Sequence, residues 1–306
     1  MVLNLIFLIF TNLIIPISFL MWIWRAKFKC KLDWILLVLM AGAYIILIFY
    51  IGSWSWFSYY LRYVVFLGYL SGVFFSLWKV RHQPFNRKRE QGEWFPVVIP
   101  SLATIMFAAM FLFTVAGFTY SGDSVFLEFP LHKGTFTVIQ GGDSPFINHH
   151  HHPESPLKYS LDITKLNTIG NRCYGFYPKN INNYAIYGEP VYSPCDGMVK
   201  IAVEGIDNSK IAEPDTTNFR GNYITINFGE INIVLAHLKP GSLLVREGDS
   251  VRQGEKIAEV GNSGFSSEPH LHIHAEIQDA EAFMGSRPVA ILFNGNFYKR
   301  NDLIYR

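Results

Sequence analysis

The first 120 residues contain apolar runs too long and too uninterrupted for an ordinary soluble core. Val2–Trp24, Leu32–Trp54, Trp56–Trp78 and Phe95–Tyr120 each reach the roughly 20 residues that a helix needs to cross a hydrocarbon layer. Four such runs with so few charges argue against buried soluble helices. A cleaved leader is also disfavoured, because the basic cluster Arg25, Lys27, Lys29 and Lys31 follows the first run instead of preceding it. Arg62 falls near the start of the third run, where its long stem can carry the charge to the interface.

Charge divides the chain in the same place. Residues 1–120 hold ten basic and three acidic side chains, leaving 16 basic and 21 acidic for residues 121–306. The overall +2 is therefore no signal for nucleic acid, and no nucleic-acid partner is expected. The basic residues concentrate in loop 25–31, with four, and loop 79–94, with five. A four-span arrangement puts both loops on one side, and the positive-inside rule makes that side cytoplasmic. The N-terminus and everything after Tyr120 are then expected outside the cytoplasm, giving a multi-pass membrane protein with an extracytoplasmic C-terminal half.

A short Gly/Ser linker, "GFTYSGDS" at 117–124, leads into residues 121–306. There the pattern changes to short runs rich in Val, Ile, Phe, Tyr and Thr, punctuated by Gly, Pro, Asn and Asp, which predicts strands. The expected architecture is a four-helix transmembrane region over 1–120 and one β domain over 121–306. Cys30 lies in a cytoplasmic loop and stays reduced. Cys173 and Cys195 lie in the exported half, as a disulfide or as two buried thiols.

Within the β half, "EPHLHIHAEI" (268–277) places histidines at alternate positions, so an extended strand turns His270, His272 and His274 to one face and Leu271, Ile273 and Ala275 to the other. A hydrolytic zinc site needs three His, Asp or Glu ligands, an open position for water, and groups that handle protons and the oxyanion. "YSLDI" supplies Asp162 among apolar neighbours, where a bare carboxylate is costly. "VLAHLKPGS" supplies His237 at the end of an apolar run. The run "HHHH" at 149–152 reads either as an exposed loop or as a source of ligands.

Residues 186–277 resemble the lysostaphin-type, or LytM-like, zinc endopeptidases that cut peptides in bacterial cell walls. The resemblance is carried by "YGEPVYSPCDGMVKIA", "GNYITINFG", "LAHLKPGSLLVREGDSVRQGEKIAEVGNSG" and "EPHLHIHAEI", in that order. It implies a mainly antiparallel all-β domain with its site in a groove on the sheet, a Zn²⁺ cofactor, and peptidoglycan peptides as substrate. It also implies Asp162 and His272 as metal ligands, with His270 and His237 beside the metal as the groups that handle the water's proton and the oxyanion. The family's other ligand histidine precedes the Asp by four residues, and here that position is Lys158, whose ammonium opposes metal binding. A divergent branch with an upstream "N…H" is similar to "NHHHHPESPLKYSLD", which implies a third ligand from the 149–152 run, assigned to His150. If no such ligand is recruited, the domain is an inactive module that binds wall or regulates another hydrolase. A biotinyl-like carrier domain also fits "VREGDSVRQGEKIAEVG", but the chain lacks the attachment lysine and the carrier leaves His-Leu-His unexplained. No role is assigned to His274, and residues 164–187 read as an insertion that either walls the groove or forms a structural flap.

Overall fold

The computed structural model describes residues 2–90, 94–151 and 156–306. The chain divides into two compact units, Met1–Trp54 with Ser58–Val115, and Ser55–Phe57 with Ala116–Arg306.

Among the described residues of the first unit, four helices are long and apolar enough to cross a membrane: Leu5–Arg25, Lys31–Ile51, Leu61–Val80 and Phe95–Ala116. Lys31–Ile51 is the most enclosed, with half of its apolar window buried, and Tyr44, Ile45 and Ile48 pack against its neighbours. Large apolar side chains such as Phe74, Leu112 and Ile105 are exposed on the helix surfaces, the pattern expected where the solvent is lipid. The two basic loops lie together: Lys31 and Leu32 N–H groups donate to the carbonyls of Pro84 and Phe85, and Arg89 pairs with Asp33 at 2.7 Å. Arg62 lies in the first turn of Leu61–Val80. It is buried, with its guanidinium over the rings of Phe49 and Tyr59 at 4.5 and 4.1 Å. Aromatic faces carry the negative end of a quadrupole, so they solvate the cation in place of water.

The second unit is a β domain. Its strands are β1 (Ser124–Leu127), β2 (Thr135–Gln140), β3 (Leu161–Leu166), β4 (Pro190–Tyr192), β5 (Gly197–Val203), β6 (Asn222–Phe228), β7 (Ile231–Leu238), β8 (Ser250–Val251), β9 (Lys256–Glu259), β10 (Leu271–Gln278), β11 (Ser286–Phe293), β12 (Asn296–Phe297) and β13 (Leu303–Tyr305). The main sheet runs β13-β2-β3-β10-β7-β6-β5-β8, and β11 also pairs with β10. Its ladders are antiparallel except for β1 against β11.

Strand β10 shows how the sequence sets the register. Leu271, Ile273 and Ala275 are at most 1% exposed and join Leu161, Ile163, Ile233 and Leu235 in the core. Each large apolar side chain so buried contributes about 1.5–3 kcal/mol. A slip of one residue would drive imidazoles into that core and expose the apolar set, so the alternation admits one register. The three histidines are thereby fixed on the opposite face, at the middle of the sheet.

Candidate metal centre

Register brings the pieces together. On β10, His272 pairs with Asp162 of β3 on one side and with Ala236 of β7 on the other, and directly paired residues share a sheet face. His237 follows Ala236 and has left-handed backbone, φ 61°. That conformation costs a residue with a Cβ on the order of 1–3 kcal/mol. It is held by backbone bonds from His237 N–H to Arg220 O and from Gly261 N–H to His237 O, both 3.1 Å. The departure from extended geometry lets His237 approach the rings of His270 and His272, at centroid separations of 4.9 and 5.8 Å.

Ligand atoms of His151, Asp162 and His272 all lie within 4.8 Å of one another, and all three residues are buried. His150, the residue expected from the sequence, is not in this group: it is exposed and stacks edge-on against His149. Asn148 is what sets the two neighbouring histidines apart. Its amide donates to the carbonyls of Gly142, Lys158 and Ser160 at 3.1, 3.0 and 3.3 Å, stapling the 141–151 turn to the approach of β3. Gly142 has φ 98°, and a Cβ there would collide with Ile147. The Asn148 Oδ1 meets His151 Nδ1 at 2.6 Å, so Nδ1 carries the proton and the Nε2 lone pair faces Asp162, 3.6 Å away.

Lys158 does not enter the cluster. Its ammonium turns to Asp143, 3.1 Å away; partial burial opposes the charge, but the contacts with Tyr159 and Asp143 outweigh it and hold the pKa up.

The remaining imidazoles are also fixed by their second nitrogens. His237 Nδ1 donates to Ser263 O and His270 Nδ1 to Glu268 O, each at 2.8 Å. Each ring therefore presents Nε2 to the site, and His270 Nε2 lies 3.6 Å from Asp162 Oδ1. The Glu268 segment is itself anchored, since Glu268 forms an ion pair with the buried guanidinium of Arg172. Arg172 lies in the segment between β3 and β4, which thus contacts the anchor of His270.

His272 Nδ1 contacts Asp162 Oδ1 at 2.9 Å, while its Nε2 lies 2.9 Å from His274 Nδ1. His274 is 1% exposed, and its own Nε2 is 4.0 Å from Glu276 Oε2. The strand period announced that His274 shared the face. It could not announce that His274 touches His272.

Burial pushes His151 down to about 3 and holds His237 and His274 well below the usual imidazole range, with neighbouring imidazoles adding to the effect. These rings are neutral, the form that binds a metal or accepts a proton. Burial alone would raise Asp162, but His151, His270 and His272 together outweigh it and keep the carboxyl ionised. Two imidazoles and a carboxylate are a donor set of the kind catalytic zinc sites use, so the residues present fit such an ion. The cysteines are not part of it: Cys173 and Cys195 are separate buried thiols, raised by burial to about 11 and about 12.

Residues 179–283 match the model of Peptidase family M23, and the chain carries an M23, LytM-like, domain. His237, His270 and His272 fall inside the matched segment, while His151 and Asp162 precede it. An uncharacterized metalloprotease of Haemophilus influenzae is 34% identical over 101 residues, covering 32% of this chain and 18% of that protein. Peptidoglycan DD-endopeptidase ShyA of Vibrio cholerae is 32% identical over 119 residues, covering 38% and 24%. The chain thus spans a quarter or less of the length of these relatives. Among solved structures, a zinc-containing peptidase from Vibrio cholerae is 24% identical with a TM-score of 0.30, covering 53% of this chain and 37% of that one.

Proposed function

We propose that this chain is a membrane-anchored, zinc-dependent endopeptidase that hydrolyses peptide bonds in bacterial peptidoglycan, with its β domain outside the cytoplasm. The observation that carries the reading is the buried His151–Asp162–His272 cluster flanked by two further imidazoles whose Nε2 atoms are turned inward. The M23 match and the peptidoglycan endopeptidases among its relatives support the substrate class. The four apolar helices and the basic loops support anchoring and orientation.

His151, Asp162 and His272 would hold the ion, which when bound supplies Lewis acidity and lowers the pKa of the attacking water. The other steps fall to the protein. His237, kept neutral by burial, has its Nδ1 proton committed to Ser263 O and so accepts the water's proton at Nε2. Once protonated it becomes a donor, able to stabilise the oxyanion and then to pass the proton to the departing amine. His270, held in the same way by Glu268 O, presents its Nε2 to the same cluster, with its ring 4.9 Å from that of His237. Asp162 balances the charge that develops on these rings.

The rival reading, an inactive wall-binding module, was motivated by Lys158. The Lys158–Asp143 pair removes the ammonium from the cluster, and His151 supplies a ligand in its stead. The deciding experiment measures zinc content and muropeptide release for the full chain and for His272→Ala. The expected result is about one zinc per wild-type chain, and loss of both metal and release in the variant. Full activity in the variant would sink the hydrolase reading.

His274 is expected to tune the metal without binding it. With an ion on His272 Nδ1, the ring's Nε2–H would donate to His274 Nδ1, 2.9 Å away, and so hold the metal-binding tautomer. His274→Leu should weaken zinc affinity by about 10–100-fold. His274→Gln, which keeps a hydrogen-bonding partner, should recover most of the loss in a chelator competition assay.

A further inference from the structure

We propose that the sheet face beyond His274 is a subsite for a carboxylate on the substrate peptide, so that the enzyme selects acidic peptides. The proposal rests on the peptidase reading above and specifies which peptides that site takes. A cavity of about 340 Å³ opens on this face, and Lys200, Arg220, Thr225, Asn232, Glu276 and Gln278 contribute to its lining. The face continues from the metal cluster without interruption. His272 pairs with Ala236, His274 with Val234 and Glu276 with Asn232, while Thr225 of β6 pairs with the same Val234.

The charges in the cavity do not cancel. Lys200 Nζ is 3.4 Å from the Asn232 amide oxygen, and the Arg220 guanidinium is 5.4 Å from the Tyr223 ring. Among the described residues neither cation has a carboxylate within ion-pair distance. Glu276 is buried and engaged along its own strand, with Oε2 4.0 Å from His274 Nε2 and Oε1 accepting from Gln278 Nε2 at 3.4 Å. Two cations therefore face one carboxylate that is already occupied.

An independent feature points to a ligand. Thr225 is 3% exposed, lines the cavity, and its hydroxyl is buried without a hydrogen-bond partner. A buried hydroxyl left unmet is destabilising, and a ligand that meets it is favoured. A ligand carboxylate would accept from this hydroxyl and from the two cations, with Arg220 able to offer a paired set of donors. The Asn232 amide oxygen, which also lines the cavity, is an acceptor for an N–H group, which favours a peptide over a small inorganic anion.

Spacing sets the position of the acidic residue. The stretch from His274 to Glu276 lies two to four residues beyond His272, or roughly 7–13 Å along the strand. Extended peptide covers that distance in about two to four residues. The carboxylate thus belongs two to four positions from the bond that is cut.

The test uses the full chain in detergent, stripped of metal so that nothing is cleaved, and fluorescein-labelled Ala-Ala-Glu-Ala-Ala and Ala-Ala-Gln-Ala-Ala as probes. Fluorescence anisotropy should show the Glu peptide bound about 10-fold more tightly, the value of one charge-assisted hydrogen bond. The double variant Lys200→Gln/Arg220→Gln should abolish that preference while leaving the Gln peptide unchanged. Because the Arg220 contact to His237 is through its backbone carbonyl, the substitution preserves it. Equal affinity for the two peptides in the wild type, or a preference that survives in the double variant, would overturn the proposal. Muropeptide release by the metal-loaded wild type is scored separately. A preference without release retains the subsite and removes the peptidase reading, and release without a preference does the reverse.

Discussion

His151→Ala is expected to strip the metal from the chain, while His150→Ala leaves metal content and affinity unchanged. The two residues are adjacent in a run of four histidines, so composition and local charge cannot distinguish them. Their surroundings can. His151 is 8% exposed, clamped by Asn148 at 2.6 Å and aimed at Asp162, whereas His150 is exposed beside His149. Losing a direct ligand should weaken zinc binding by more than the roughly 100-fold that the loss of an outer partner costs. Asn148→Ala should fall between the two variants, because the ring remains but its tautomer and aim are no longer set. Chelator competition with zinc analysis by mass spectrometry reads all three. Retention of zinc by His151→Ala together with its loss from His150→Ala would restore the ligand expected from the sequence.

The features legible in the sequence were those with a period or a length. Four apolar runs announced four helices, and alternation along 270–277 announced both the buried and the polar face of β10. Asp162 and His237 stood out as polar residues in apolar company. What stayed hidden depends on contacts between segments distant in sequence. A four-histidine run has no period from which a ligand can be chosen; the choice is made by Asn148, which bridges residues 142, 158 and 160. Lys158 looked like a charge inside the site because the sequence does not reveal Asp143 waiting beside it. His274 looked idle because its importance lies in one ring nitrogen of His272. The aromatic surroundings of Arg62 stayed hidden because Tyr59 and Phe49, three and thirteen residues before it, meet around it only in the folded unit. The domain in which all the site residues meet was legible; the wiring among them was not.

The metal-free protein should lose stability steeply as the pH falls below about 6.5. His151, His237 and His274 are buried and held neutral, His151 down to about 3 and the other two well below the usual range. In the unfolded chain each would take up a proton near its ordinary pKa of about 6.5. The folded state refuses those protons, so the unfolded state binds more of them and stability falls with pH. The contribution is fully retained above about 6.5 and is lost progressively between there and the folded pKa, which for His151 is about 3. Each histidine contributes a slope of up to about 1.4 kcal/mol per pH unit, so three give about 4 kcal/mol per unit. That is a large fraction of the 5–15 kcal/mol typical of a folded domain. Asp162, ionised in the fold, moves in the same direction but only at lower pH, as its carboxylate begins to protonate in the unfolded chain near 4. Urea titration of the metal-stripped chain in detergent at pH 7.5 and pH 5.5 should therefore show a lower midpoint for the β domain at the acidic pH. Saturating zinc should raise both midpoints, and less so at pH 5.5, because protons compete for the same ring nitrogens. Equal midpoints at the two pH values without metal would mean that these rings are not held neutral, and would remove the basis for His237 as the group that takes the proton.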